Sequence, residues 1–425
     1  MTRRPLFKMK KDIPMNENIQ TARDMALSIL KPTQRDLDYG LELHKNALVI
    51  ESYGLGLRSP VDPDEVNAAI DAGASDRELQ DLTEDMGMTR WALTPELRQE
   101  YQEAWQASGV TCTFQNAGEE GNDPLRLIKR LARHTYVTDV MPDFMLRAPT
   151  PNDIEIAHQE GKHCTYLTCN GIPLGGDQTN PMEELRYIRI FAQLGARMMH
   201  LTYNRRNPIG DGCAEPANAG LSDFGHAVVK EMNRLGILID LAHTGWQTCL
   251  DTAKISTQPV VVSHSTACTV NHHIRSKPDT VIRAVLDTGG TMGITNVPAF
   301  LGGSGDISAF LDHIDYIAKT FGTSHITIGT DRAYDSQYIP DAQRKLKSRG
   351  KQRDRWEYLW PSNDPIKSPN WRQETQVQSL KWTNWPLFTV GLVQRGYTDE
   401  DILKIVGGNI LRVAHTVWSQ SVYAV

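Results

Sequence analysis

Residues 220–243 read GLSDFGHAVVKEMNRLGILIDLAH, a polar start, an amphipathic middle, a glycine and then an apolar run. That order is one helix feeding one strand. Ser222 is placed to cap the helix N-terminus with its hydroxyl. FGHAVVKEMNRLG has apolar residues at helical spacing and closes on Gly236, which suits the left-handed residue that ends a helix. ILIDLA, from Ile237 to Ala242, is apolar almost without alternation, as a strand covered on both faces must be. His243 follows it directly.

The same unit recurs along the chain. Strand-like runs are predicted at Ala47–Ser52, Val110–Gln115, Cys164–Cys169, Arg197–Thr202, Ile237–Ala242, Val260–Ser263, Thr291–Thr295 and His325–Thr330, each followed by a helix-like segment. Eight alternating strands and helices predict a closed parallel barrel, a (β/α)8 TIM barrel, for which 425 residues is an ordinary single-domain length. Residues 1–40 are read as an N-terminal extension and 41–425 as the barrel. The stretch 338–385 stands outside the repeat. It holds Trp356, Trp360, Trp371, Trp382 and Trp385, and is expected to be an insertion after the eighth strand that either packs on the barrel rim or acts as a lid or an interface.

Composition narrows the function. Hydrophobic residues make up 40% and charged residues 23%, and the formal net charge is −6, so no basic excess exists to neutralise a phosphate backbone. No nucleic-acid partner is expected. No apolar run approaches the roughly 20 residues of a spanning helix, and the N-terminus lacks the apolar core of a signal peptide. A cytoplasmic, membrane-free protein is the expectation. Cys112, Cys164, Cys169, Cys213, Cys249 and Cys268 form no CxxC pair and are read as buried free thiols.

Active sites of such barrels lie at the C-terminal ends of the strands, so the residues there are the ones to read. They are Tyr53, Gln115, Asn170, Tyr203, His243, His264, Asn296 and Asp331. Two imidazoles and a carboxylate converging from separate strands, His243, His264 and Asp331, are a donor set for one divalent ion, with zinc expected and iron or manganese compatible. Glu119 and Glu120, after the second strand, are a second carboxylate pair near the same mouth.

LTYNRRN, GLSDFGHAVVKEMNRLGILIDLAH, PVVVSHSTA, HHIRSKPD, GGTMGITNVPAFL, DHIDYIAKTFGTSHITIGTD and RGYTDEDILKIVGGNILRVA are long, ordered matches to one family. On these stretches the chain resembles the membrane (renal) dipeptidases, peptidase family M19. The resemblance implies two divalent ions, held by a His and an Asp after the first strand, a bridging Glu after the third, and a His after each of the fifth and sixth. It also implies an arginine that clamps the substrate carboxylate and an acid/base aspartate. His243 and His264 match the last two ligands, Arg275 the clamp and Asp331 the acid/base group. Tyr53, Leu55 and Asn170 stand where the other three ligands belong, and Tyr203 stands where a carbonyl-polarising histidine belongs. Leucine cannot ligate a metal, and an amide oxygen neutralises none of the charge of two dications. No HxD or HxH occurs before the third strand, and His44 is the only histidine in the first 130 residues.

The expectation is therefore a non-standard member of that family, acting on a small carboxylate-bearing amide, ester or related substrate at a mononuclear or metal-free site. Asp331, Tyr203 and Tyr53 are the expected catalytic groups; Arg275, Asn170 and Asn296 are expected to hold substrate. A homodimer is implied by the resemblance. An ordinary zinc metallodipeptidase, a lyase or decarboxylase, and a catalytically silent binding protein are the alternatives.

Overall fold

The computed structural model describes residues 16–118, 123–176, 180–349 and 358–424. Its centre is a parallel barrel whose strands follow one another in sequence order. They are β1 (Ile50–Gly54), β2 (Cys112–Asn116), β3 (His163–Cys169), β4 (Met198–His200), β5 (Leu238–Asp240), β6 (Val260–Ser265), β7 (Thr291–Ile294) and β8 (Ile326–Ile328). In register, Met199 of β4 faces Ile239 of β5, and Ile239 faces Val260 of β6. The strands are buried almost end to end, which is why they read as unbroken apolar runs.

The seam between β8 and β1 closes just beyond the strand ends. Asp331 N donates to Tyr53 O at 3.2 Å and Leu55 N to Arg332 O at 3.1 Å. A short parallel ladder, Gly56–Arg58 against Ala333–Asp335, continues the closure. Two groups expected in the site, Tyr53 and Asp331, are thereby neighbours although 278 positions separate them.

The helix read from 220–243 forms as expected. Asp223–Leu235 is helical, Ser222 Oγ accepts from Gly225 N at 3.0 Å, and Gly236 takes φ 68°. The first strand begins three residues later than expected, because Ala47 still caps the preceding helix, Gln34–Asn46. That helix runs through residue 40. It and Glu17–Leu30 pack on the barrel's closing segment: His44 Nδ1 pairs with Thr389 Oγ1 at 2.8 Å, and Asn384 Nδ2 donates to Ala22 O at 2.9 Å.

Within 338–385 the described residues are anchored by tryptophan. Trp382 and Trp385 are fully buried and Trp360 nearly so, whereas Trp371 is half-buried; Trp356, Glu119 and Glu120 lie outside the described residues. Trp382 packs edge-on to Trp105 at 5.0 Å and donates its indole N–H to Glu51 Oε2 at 2.8 Å. Glu51 also accepts from Thr113 and Thr330. Burial pushes its carboxyl up to about 7, against the pull of those donors.

Of the six cysteines, four are buried, Cys213 and Cys268 are half-buried, and all are free. Burial also holds His44, His163 and His313 at about 4, far below an imidazole in water. The unfolded chain takes up those protons near pH 6.5, the folded chain near 4. Their contribution is thus complete above pH 6.5 and is lost as pH falls towards 4, at most about 3 kcal/mol for each imidazole. Melting temperature should fall across that window, and His44→Gln should flatten the fall; a melting temperature constant from pH 7 to 4 would contradict this.

Candidate active site at the barrel mouth

A cavity of about 870 Å³ opens at the C-terminal ends of the strands. Tyr53, Asn170, Tyr203 and Asp331 lie at its base, with Arg332 beside them and with Leu57, Trp91 and Trp371 among its apolar walls. The ends of β1, β3, β4 and β8 supply the four polar groups, so their positions are set by closure rather than by any one loop.

The two tyrosine rings lie flat over two histidines. Tyr53 stacks on His264 with centroids 3.9 Å apart and planes 18° apart, and Tyr203 stacks on His243 at 3.9 Å and 20°. The Tyr53 hydroxyl donates to Asn170 Oδ1 at 2.5 Å. Burial pushes that phenol well above its usual range, and the charge of Asp331 pushes it further. It stays protonated at neutral pH and serves as a donor. Asp331 has φ 55°, in the left-handed region that aspartate tolerates better than most residues.

Beneath the tyrosines the imidazoles gather. One ring nitrogen each from His200, His243 and His264 lies within 4.8 Å of the others, and all three residues are buried. Asp331 does not join that group. His200 is the member missed by reading the residues that follow the runs, because it is the last residue of β4 itself; a histidine in the middle of the apolar run Arg197–Thr202 was the available signal. Asp240, inside β5, was missed likewise. Its Oδ2 lies 3.0 Å from His200 Nε2, and its Oδ1 accepts from Ala242 N and Ser263 N, each at 3.0 Å. Burial lowers His243 and His264 well below the usual imidazole range, with Arg275 adding to the effect. It lowers His200 too, against the pull of Asp240.

Arg275 is completely buried and does not line the cavity. Its Nη1 donates to Ala242 O, its Nη2 to His264 O at 3.2 Å, and Phe300 lies 5.5 Å from its guanidinium carbon. Arg58, Arg130, Arg332 and Arg372 line the cavity instead, and of these Arg332 follows Asp331 directly, with its Nε and Nη2 held by Asn296 O at 3.0 and 2.6 Å. Asn296 itself is fully buried, and neither atom of its side-chain amide has a hydrogen-bond partner. Asn170 lines the cavity.

A family model, that of the membrane dipeptidases, peptidase family M19, matches residues 86–347. The chain belongs to this family. A curated relative, the dipeptidase aclJ of Aspergillus oryzae, is 27% identical over 296 residues, which are 68% of this chain and 58% of that protein. The chain therefore spans little more than half the length of that relative. Among solved structures, an amidohydrolase from Pseudomonas aeruginosa superposes with a TM-score of 0.64 at 22% identity, covering 89% of this chain and 99% of that one. A metallopeptidase from Rhodobacter sphaeroides, liganded with a phosphinate mimic of the dipeptide L-Ala-D-Ala, gives 0.61 at 15% identity, covering 88% and 99%. Both share the barrel fold.

The M19 family is metal-dependent, and the pair of ions implied by membership can be tested against these side chains. Of the five ligand positions, Tyr53 is committed to Asn170, Leu55 has no donor atom, and Asn170 offers one neutral amide. Only His243 and His264 remain as ligands. The residues do not fit a binuclear centre. Among the described residues no helix is long and apolar enough to cross a membrane.

Proposed function

We propose that this protein is a hydrolase of the dipeptidase-like type that cleaves an amide or ester in a small carboxylate-bearing molecule, without a pair of bridged ions. The observation that carries the reading is the cavity base, where Tyr53, Asn170, Tyr203 and Asp331 meet beside Arg332. Apolar walls with a few convergent polar groups are the usual make-up of a small-molecule site.

The roles follow from placement. Arg332, steadied by Asn296, takes the substrate carboxylate; Arg275, locked behind the floor, braces the main chain at Ala242 and His264 from outside the cavity. Asp331 draws the proton from the attacking water and returns it to the leaving group. Tyr203 donates to the oxyanion as it forms, and the Tyr53–Asn170 pair holds the opposite side of the floor. A single divalent ion behind the floor, zinc by the chemistry of imidazole donors, would add positive charge to the site. A reducing, cytoplasmic location suits the free thiols, and a homodimer belongs to the same proposal.

Dipeptides, N-acyl amino acids and lactones make the test panel. Turnover of one class is expected, with Tyr203→Phe lowering kcat by roughly 10–100-fold and leaving KM within about twofold. Saturable binding of these acids with no turnover of any would instead make the protein a silent binder.

A further inference from the structure

We propose that His200, His243 and His264 form a mononuclear centre for a late first-row divalent ion such as zinc, one layer beneath the tyrosine floor. His200 is the ligand that no M19 motif supplies, and it takes the place expected of Asp331.

Proton accounting carries the argument. A backbone carbonyl can only accept, so His200 Nδ1, 3.0 Å from Cys169 O, bears the hydrogen. The single hydroxyl proton of Ser263 goes to Asp240, so Ser263 Oγ must accept from His264 Nδ1 at 2.7 Å. Asn204 Oδ1 accepts from His243 Nδ1 at 2.7 Å. A neutral imidazole carries one N–H, so each Nε2 is left with a bare lone pair. Each ring is thus fixed through its far nitrogen, as a metal-binding histidine ordinarily is.

These lone pairs face one another. His243 Nε2 and His264 Nε2 are 3.1 Å apart, a repulsive arrangement unless something positive lies between them. Without a metal two added protons are needed, one shared by that pair and a second on His200 Nε2, which lies 3.0 Å from Asp240 Oδ2 and otherwise has no hydrogen-bond partner. One cation satisfies all three. Asp240, buried and fixed by Ala242, Ser263 and its hydroxyl, supplies the compensating charge. Arg275 and the buried Lys277 oppose a dication, but Arg275 Nη2 sits 3.4 Å from His243 Nε2 and donates more closely to His264 O. Three imidazoles without a thiolate select zinc, cobalt, nickel or copper over calcium or magnesium.

The test uses the full chain, purified without chelators, loaded with zinc and desalted. Elemental analysis should find about one equivalent, X-ray absorption should count three imidazoles, and Co(II) in place of zinc should give visible ligand-field bands. His200→Gln should weaken zinc binding by at least about 100-fold, whereas Asp331→Asn should keep one equivalent. Less than about a tenth of an equivalent in the loaded wild type, or an unchanged affinity in a folded His200→Gln, overturns the proposal. If His200→Gln does not fold, the imidazole count in the wild type decides alone. None of these readouts needs a substrate, so the centre can fail while the hydrolase reading stands, and the reverse.

Discussion

Asp331→Asn is expected to lower kcat/KM on the responsive carboxylate substrate by roughly 10²–10⁴-fold while the protein keeps its melting temperature. Asparagine is the informative replacement. At φ 55° it is as comfortable as aspartate, so the backbone link from Asp331 N to Tyr53 O survives and only the exchangeable charge is removed. Alanine would add strain at this φ and confuse the result. The loss should fall on kcat, because Arg332 rather than Asp331 is assigned to hold the substrate. A change of less than about threefold in kcat/KM would remove Asp331 from the chemistry.

Trp382→Ala should be the most damaging single substitution outside the site, destabilising by about 3–5 kcal/mol for the lost packing alone. The indole fills the space against Trp105 and supplies one of the donors to the buried Glu51, so truncation also leaves that carboxylate short of a partner. Trp382→Phe keeps most of the packing and should cost about 1–3 kcal/mol. Urea unfolding of both variants separates cavity from hydrogen bond. If Trp382→Ala unfolds with the wild-type midpoint, the segment 338–385 is not anchored as its burial implies, and a movable lid becomes the better description.

The barrel was legible because its signal is local. Apolar runs at 110–115, 164–169 and 260–263 became strands with boundaries moved by at most two residues, and Ser222 and Gly236 bracket their helix as read. Family membership was legible for the same reason, since ordered motifs survive without coordinates. Reading the residue that follows each strand-like run found Tyr53, Asn170, Tyr203 and Asp331 at the cavity. It did not find His200, Asp240 or Glu51, which lie inside strands, nor Arg332, one residue past the rim.

From its own residues the chain determined an eight-stranded M19 barrel and the loss of three of the five ligand positions, because strand periodicity and side-chain chemistry are properties of short stretches. Only the closed barrel decided which groups share a space. It put Arg275 behind the floor and Arg332 in front, laid Tyr53 and Tyr203 over His264 and His243, and turned His200 towards them. Those relations join separate strands, and their physical cause is the register and closure of the sheet, which no single segment encodes.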